Sequence, residues 1–351
     1  MSGQTKLLLA SALAPAAVIL AWTYFRDRLR EPPRVVLMTL LYGALVTIPI
    51  VFVEGALQAT LGIEANPQTL GQAAAISFVV AALVEESFKF WVLWRYSARH
   101  CAFDEPYDGI VYGVAASLGF AAVENVMYVL SAHQESFESG LSVAFLRALL
   151  SVPLHAACGA IMGICVGIGR FSRGPASAGW ALLGLAGAIV LHGAYDTFAF
   201  SAAVPAEAAG GVELAGISTI GVSVTTALGI AVAALAAARL RRDQVRARVT
   251  DPLPVPALPM VALVSSAAGA LAVLLGAGIA VALSAAETEP SEMVAATAGT
   301  LLLGGAGVEG LSALLALVAI GRETRWRAAS ACALLVSGAM LGLVGLALLT
   351  E

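Results

Sequence analysis

Charge is what this sequence has least of. Only 12% of its 351 residues are Asp, Glu, Lys or Arg, about half the share in an ordinary soluble domain. With 60% hydrophobic residues and a mean hydropathy of +0.89, a water-soluble globular enzyme is excluded and a polytopic membrane protein is implied. Positive charge is scarce as well. The net charge is -4, and no basic patch is interleaved with aromatics, so nucleic acid is not a partner. Lysine is nearly absent: of 19 basic residues only Lys6 and Lys89 are Lys. The four cysteines, Cys101, Cys158, Cys165 and Cys332, show no C-x-x-C spacing. That excludes a disulfide framework and a structural zinc site, and leaves them as packing residues.

What the sequence has is long apolar runs. Taking roughly 20 apolar residues as one crossing, about ten are predicted, near 7–25, 35–56, 72–96, 109–131, 143–169, 178–203, 212–238, 258–283, 296–320 and 328–350. Arginines follow the odd-numbered runs, at Arg26, Arg28, Arg30 and Arg34, Arg95 and Arg99, Arg170 and Arg173, Arg239 to Arg248, and Arg322 to Arg327. The alternate loops, around 57–71, 132–142, 204–211 and 284–295, hold no Lys or Arg. By the positive-inside rule the basic loops are cytoplasmic and both termini lie outside. Arg147, near the outer end of the fifth run, fits this topology poorly. The first run has a signal-peptide look, but the charged stop Arg26-Asp27-Arg28 marks a retained span. The predicted fold is therefore an all-α transmembrane helical bundle. A basic, Pro-rich linker near 239–259 separates the last three spans, and the chain divides into a core over 1–211 and an additional membrane region over 212–351.

Against this apolar background, Leu83-Val84-Glu85-Glu86-Ser87-Phe88-Lys89 is costly, because each ionisable side chain in a span opposes insertion by roughly 2.5–3.5 kcal/mol or more. At 1.5 Å per residue, Glu85 and Glu86, His155 and His192 all fall near the bilayer centre, and Glu124 lies roughly 6 Å to the outer side. Four successive spans thus place carboxylates or imidazoles in one slab. Small residues recur every fourth position beside them: His155, Gly159, Gly163 and Gly167; Gly184, Ala188, His192 and Asp196; Gly109, Gly113, Ser117, Ala121 and Asn125. Such rows mark faces where membrane helices approach closely. Lys89 lies three and four residues after the two carboxylates and can pair with either. Glu309, a solitary carboxylate on the ninth run, reads as structural, and Asp104, Glu105 and Asp108 as loop and helix-start residues.

Two carboxylates and two imidazoles around a pocket can deprotonate water and stabilise an oxyanion, which is what amide hydrolysis needs. The adjacency of Glu85 and Glu86 favours a proton shared between them. Glu124, His155 and His192 also form the two-His, one-carboxylate set used by catalytic zinc, although no H-E-x-x-H is present. Midplane carboxylates and histidines equally build the proton relay of a transporter or channel, and an inactive membrane scaffold is the third reading.

The residues Glu85-Glu86-x-x-Lys89, Phe120-x-x-x-Glu124-Asn125, His155-x-x-x-Gly159 and His192-Gly-x-x-Asp196, each on its own span and in that order, resemble the PrsW family of intramembrane proteases. Arg26-Asp27-Arg28 with Glu31-Pro32-Pro33, and Phe103-Asp104-Glu105 with Asp108-Gly109, resemble that family's cytoplasmic flanks. The match covers about residues 10 to 200. The family is related to the type II CAAX prenyl endopeptidases and bacterial CPBP proteins, whose second motif has His where this chain has Glu124. The resemblance implies cleavage of a membrane-anchored protein such as an anti-sigma factor, in a bacterial cytoplasmic membrane. It implies Glu85 and Glu86 as the catalytic pair, completed by Glu124, His155 and His192, with Lys89, Asn125 and Asp196 in support. PrsW-like proteins are described as metalloproteases, so one divalent ion, zinc first, is the expected cofactor, with Glu124, His155 and His192 as its candidate ligands. A metal-free glutamate mechanism is the alternative.

Overall fold

A computed structural model describes residues 2–63, 66–172, 176–209 and 214–247. Among them every regular element is helical: α1 (Gly3–Arg26), α2 (Pro33–Leu45), α3 (Thr47–Leu61), α4 (Leu70–Ala75), a π-helical segment (Ile76–Ala82), α5 (Leu83–Arg95), α6 (Asp108–His133), α7 (Phe137–Leu149), α8 (Ser151–Phe171), α9 (Ala176–Ser201) and α10 (Ala215–Ala247). Three predicted spans, Glu309, Cys332 and most of the 239–259 linker lie outside the described residues.

Among the described residues six stretches are long and apolar enough to cross a membrane: Gly3–Arg26, Pro33–Leu61, Asp108–His133, Phe137–Phe171, Ser177–Ser201 and Ala215–Arg241. The predicted third span is not among them. It comprises α4, the π segment and α5, and Glu85, Glu86 and Lys89 reduce its apolar character. Two predicted spans are each split into two helices, and proline explains both. Pro49 has no N–H for the carbonyl of Leu45, where α2 ends, and Pro153 has none for that of Leu149, where α7 ends. The second break places His155 in the first turn of α8. Pro15, by contrast, is accommodated inside α1.

The described residues form two compact units, one within Met1–Leu57, Ala82–His192 and Gly229–Leu253, the other within Gln58–Ala81 and Gly193–Leu228. In the first, α6 is the central helix, packed on α8, α2, α1 and α7. Two of the three predicted small-residue rows, those headed by Gly109 and His155, meet here. A Cβ at Gly109 or Gly113 would overlap the carbonyl oxygens of Gly163 and Gly159, and a Cβ at Gly159 or Gly163 would overlap those of Gly113 and Gly109. Helices that touch backbone to backbone exchange side-chain volume for close van der Waals contact, the interaction that holds bundles together in lipid. Gly43 and Gly119 bring α2 against α6 in the same way. Large apolar side chains such as Val18, Trp22, Phe25, Phe52, Phe145 and Leu149 are exposed, a surface suited to lipid rather than water. In the second unit, Leu70 and Ala73 pack with Val204, Ala209 and Leu214, and the hydroxyls of Ser201 and Ser218 pair at 2.8 Å.

Candidate active site

α5 begins directly after the π segment, and its first two turns carry Glu85, Glu86 and Lys89 on one buried face. Glu86 and Lys89 are fully buried and Glu85 is 6% exposed. The Lys89 ammonium donates to Glu85 Oε2 and Glu86 Oε1, both at 2.8 Å. It also lies 3.3 Å from His155 Nδ1 and 4.0 Å from the centre of the Phe120 ring. The predicted pairing with either carboxylate is thus made with both at once. In a dry interior such pairing is what keeps the carboxylates tolerable, since removing one partner of a buried ion pair leaves an uncompensated charge.

The two histidines come from α8 and α9. His192 Nδ1 lies 2.8 Å from Glu86 Oε1 and 3.9 Å from Glu85 Oε2. His155 Nε2 lies 3.0 Å from Glu124 Oε2. The rings of His155 and His192 meet edge to face, centroids 4.9 Å apart. Hydrogen bonding sets the tautomers: a ring nitrogen facing a carboxylate carries the proton, so His155 donates from Nε2 to Glu124 and turns the Nδ1 lone pair toward Lys89. The other oxygen of Glu86, Oε2, is buried with no hydrogen-bond partner.

Glu124 is held from the far side by Arg147, whose Nη2 donates to Glu124 Oε2 at 2.6 Å and whose Nε donates to Asn125 Oδ1 at 2.7 Å. The Arg147 guanidinium also covers the Tyr128 ring at 4.2 Å. Asn125 in turn donates to the Ala12 carbonyl at 2.6 Å, tying α1 to α6. The basic residue that fitted the charge topology poorly is therefore the counter-ion of a site carboxylate. Asp196 lies one turn beyond His192 on α9, partly buried and in the second unit.

Sequence reasoning missed Glu54 on α3. Its Oε1 is buried without a hydrogen-bond partner, and its carboxylate interacts electrostatically with Glu85, Glu124, Lys89 and His192. A lone Glu inside the second apolar run was the available signal.

Donor atoms of Glu85, Glu86, His155 and His192 all lie within 4.8 Å of one another. Two imidazoles and a carboxylate suit catalytic zinc, so the donor set present fits a metal. Glu124 stands outside this group; its Oε2 already accepts from Arg147 and lies against His155.

These apolar helices define a multi-pass membrane protein with a buried cluster of carboxylates, imidazoles and one lysine. Residues 31–228 match the family described as PrsW family intramembrane metalloprotease. The chain is 36% identical over 190 residues to Protease PrsW of Bacillus subtilis (strain 168), covering 54% of this chain and 81% of that protein. It is 40% identical over 166 residues to Protease PrsW of Geobacillus kaustophilus (strain HTA426), 47% and 68% of the two chains. It is 31% identical over 187 residues to Protease PrsW of Clostridioides difficile (strain 630), 53% and 76%. No solved structure matches. The chain belongs to the PrsW family of intramembrane proteases and is a peptidase.

Proposed function

We propose that this peptidase hydrolyses a membrane-anchored protein substrate of the anti-sigma-factor type in a bacterial cytoplasmic membrane, with Glu85 and Glu86 as the proton-transferring pair. The observation that carries the reading is the unpartnered, fully buried Oε2 of Glu86 beside an ion-paired Oε1. One oxygen is fixed and the other is available to take a proton from water. The resulting hydroxide attacks the scissile carbonyl carbon, and the Lys89 ammonium and the imidazoles stand where oxyanion charge develops. The proton held by the carboxylate then passes to the amide nitrogen as the C–N bond breaks, so that one water is consumed and an acid and an amine are released.

Glu85, His155 and His192 would hold a zinc ion, which leaves Glu86 Oε2 as the base. When bound there, zinc supplies Lewis-acid polarisation of the carbonyl and acidification of water. Glu124, a candidate ligand by residue type, is better suited to orienting His155, as carboxylates commonly do for metal-binding histidines. Asn125 and Arg147 fix Glu124 in that role. Asp196 is assigned a supporting role on α9. Residues 1–211 form the proteolytic part in this reading, and 212–351 an additional membrane region. The basic loops face the cytoplasm and both termini lie outside.

Purified protein in lipid nanodiscs should cleave a tethered peptide substrate, and Glu86→Gln should abolish cleavage while leaving thermal unfolding cooperative. Undiminished cleavage by that variant would overturn the assignment. Stoichiometric zinc by elemental analysis, with loss of cleavage in chelator, supports the metal ligands. Metal-free protein at full activity removes them.

A further inference from the structure

A second group of buried ionisable residues takes no part in this chemistry. Asp27 caps the C-terminus of α1, Glu31 precedes Pro32 in the following loop, and Asp108 opens α6. They are 4%, 2% and 0% exposed, and one carboxylate oxygen from each lies within 4.8 Å of the others. The Asp27 carboxyl also shares a hydrogen bond with that of Glu105, and the Glu31 carboxyl with that of Asp108.

The three carboxylates have no basic counter-charge. Among the described residues none of them forms an ion pair with Lys, Arg or His. Arg26 and Arg30, their neighbours in sequence, lie instead over the rings of Trp22 and Phe25, at 4.7 and 5.4 Å. Buried carboxylates without a compensating cation are strongly disfavoured.

Each carboxylate is nevertheless held in place by one oxygen. Asp27 Oδ1 accepts from the Leu29 N–H at 3.1 Å, and Glu31 Oε2 from the Tyr112 hydroxyl. Asp108 Oδ2 accepts from the N–H groups of Asp104 and Glu105, both at 2.7 Å. The second oxygens of Asp27 and Asp108, Oδ2 and Oδ1, are buried and accept from no N–H or hydroxyl of the described residues, so that a proton shared with Glu105 or Glu31 is the alternative to a cation. Donors that fix one oxygen and leave its twin unsatisfied are how outer hydrogen bonds orient carboxylate ligands toward a cation.

We propose that Asp27, Glu31 and Asp108 bind one hard divalent cation, Mg²⁺ or Ca²⁺, that fastens the α1–α2 loop to the start of α6. The ligands are all oxygen, which selects such ions over zinc. The site is distinct from the Glu85, Glu86, His155 and His192 group and does not depend on the proteolytic reading. Its role is positional: it fixes α6, the helix that carries Glu124 and Asn125.

The test uses the full chain in nanodiscs, stripped with chelator and then titrated with Mn²⁺, Mg²⁺ or Ca²⁺ alone. Electron paramagnetic resonance should show one Mn²⁺ per chain that Mg²⁺ or Ca²⁺ displaces, still bound in the His192→Ala variant. The same ions should raise the thermal unfolding midpoint. Asp108→Asn and Glu31→Gln should weaken ion binding at least ~10-fold. Each should also make the ion-free protein more stable than wild type, because it removes one uncompensated charge. Two results would overturn the site: wild-type protein with no bound Mn²⁺ and no ion-dependent shift, the three acids sharing protons instead, or binding unchanged by both substitutions.

Discussion

The two buried ionisable clusters of the first unit are built on opposite plans. Glu85, Glu86 and Glu124 each meet a base: Lys89 spans the first two, His192 reaches Glu86, and Glu124 is shared by Arg147 and His155. Asp27, Glu31 and Asp108 have no basic partner among the described residues and are oriented by backbone and tyrosine donors. A neutralised cluster can sit deep in a bundle and still keep one reactive oxygen. An unneutralised one needs protons or a cation from outside. The contrast separates chemistry that the chain supplies itself from a charge requirement that it leaves to solution.

Removing the balance in the first cluster should have the largest effect. Glu86→Gln removes the proposed base, and cleavage of a tethered peptide should fall by about 10²–10⁴-fold, the usual contribution of a general acid–base group. Lys89→Met strands two buried carboxylates. It should cost on the order of 3–5 kcal/mol of stability by reversible unfolding in mixed micelles, and Lys89→Arg should not restore activity, because a planar fork cannot occupy the position of a compact ammonium. A fully stable Lys89→Met protein would break the comparison. Gly113→Leu forces α6 from α8 and should destabilise by about 1–3 kcal/mol or more, while the same change at exposed Gly55 should not.

The acid cluster should give the smallest signal and one of defined sign. Burial pushes the carboxyls of Asp27 and Glu31 above their ordinary values. The folded state therefore holds protons that the unfolded state has released. In chelator, stability should be greatest below the unfolded carboxyl range near pH 4 and should fall as pH rises through the folded values. Glu31→Gln should flatten that slope in a pH series of thermal unfolding.

Much of the site was legible in one dimension. The cost of Glu85 and Glu86 in an apolar run, the common depth of His155 and His192, and the rows headed by Gly109 and His155 follow from period and length, and the structure brings these rows into backbone contact. Asp108 is indeed a helix-start residue. What was not legible depended on partners far apart in the chain. Arg147 looked like a topological misfit because its salt bridge spans 23 positions. Glu31 and Tyr112 meet across 81 positions. Glu54 was missed because nothing local indicates which way α3 faces. The breaks at Val46 and Leu150 follow from Pro49 and Pro153, four residues beyond each helix end.

The π segment before α5 has a consequence for how this helix tolerates changes in length. Its wider turns hold more residues than the α-helical 3.6, so adding or deleting one there bears on which way the residues that follow point. The phase of Leu83–Arg95 is locked by His155 and His192 on other helices. A one-residue insertion taken up by the wider turns of Ile76–Ala82 would therefore leave Glu85, Glu86 and Lys89 facing those partners.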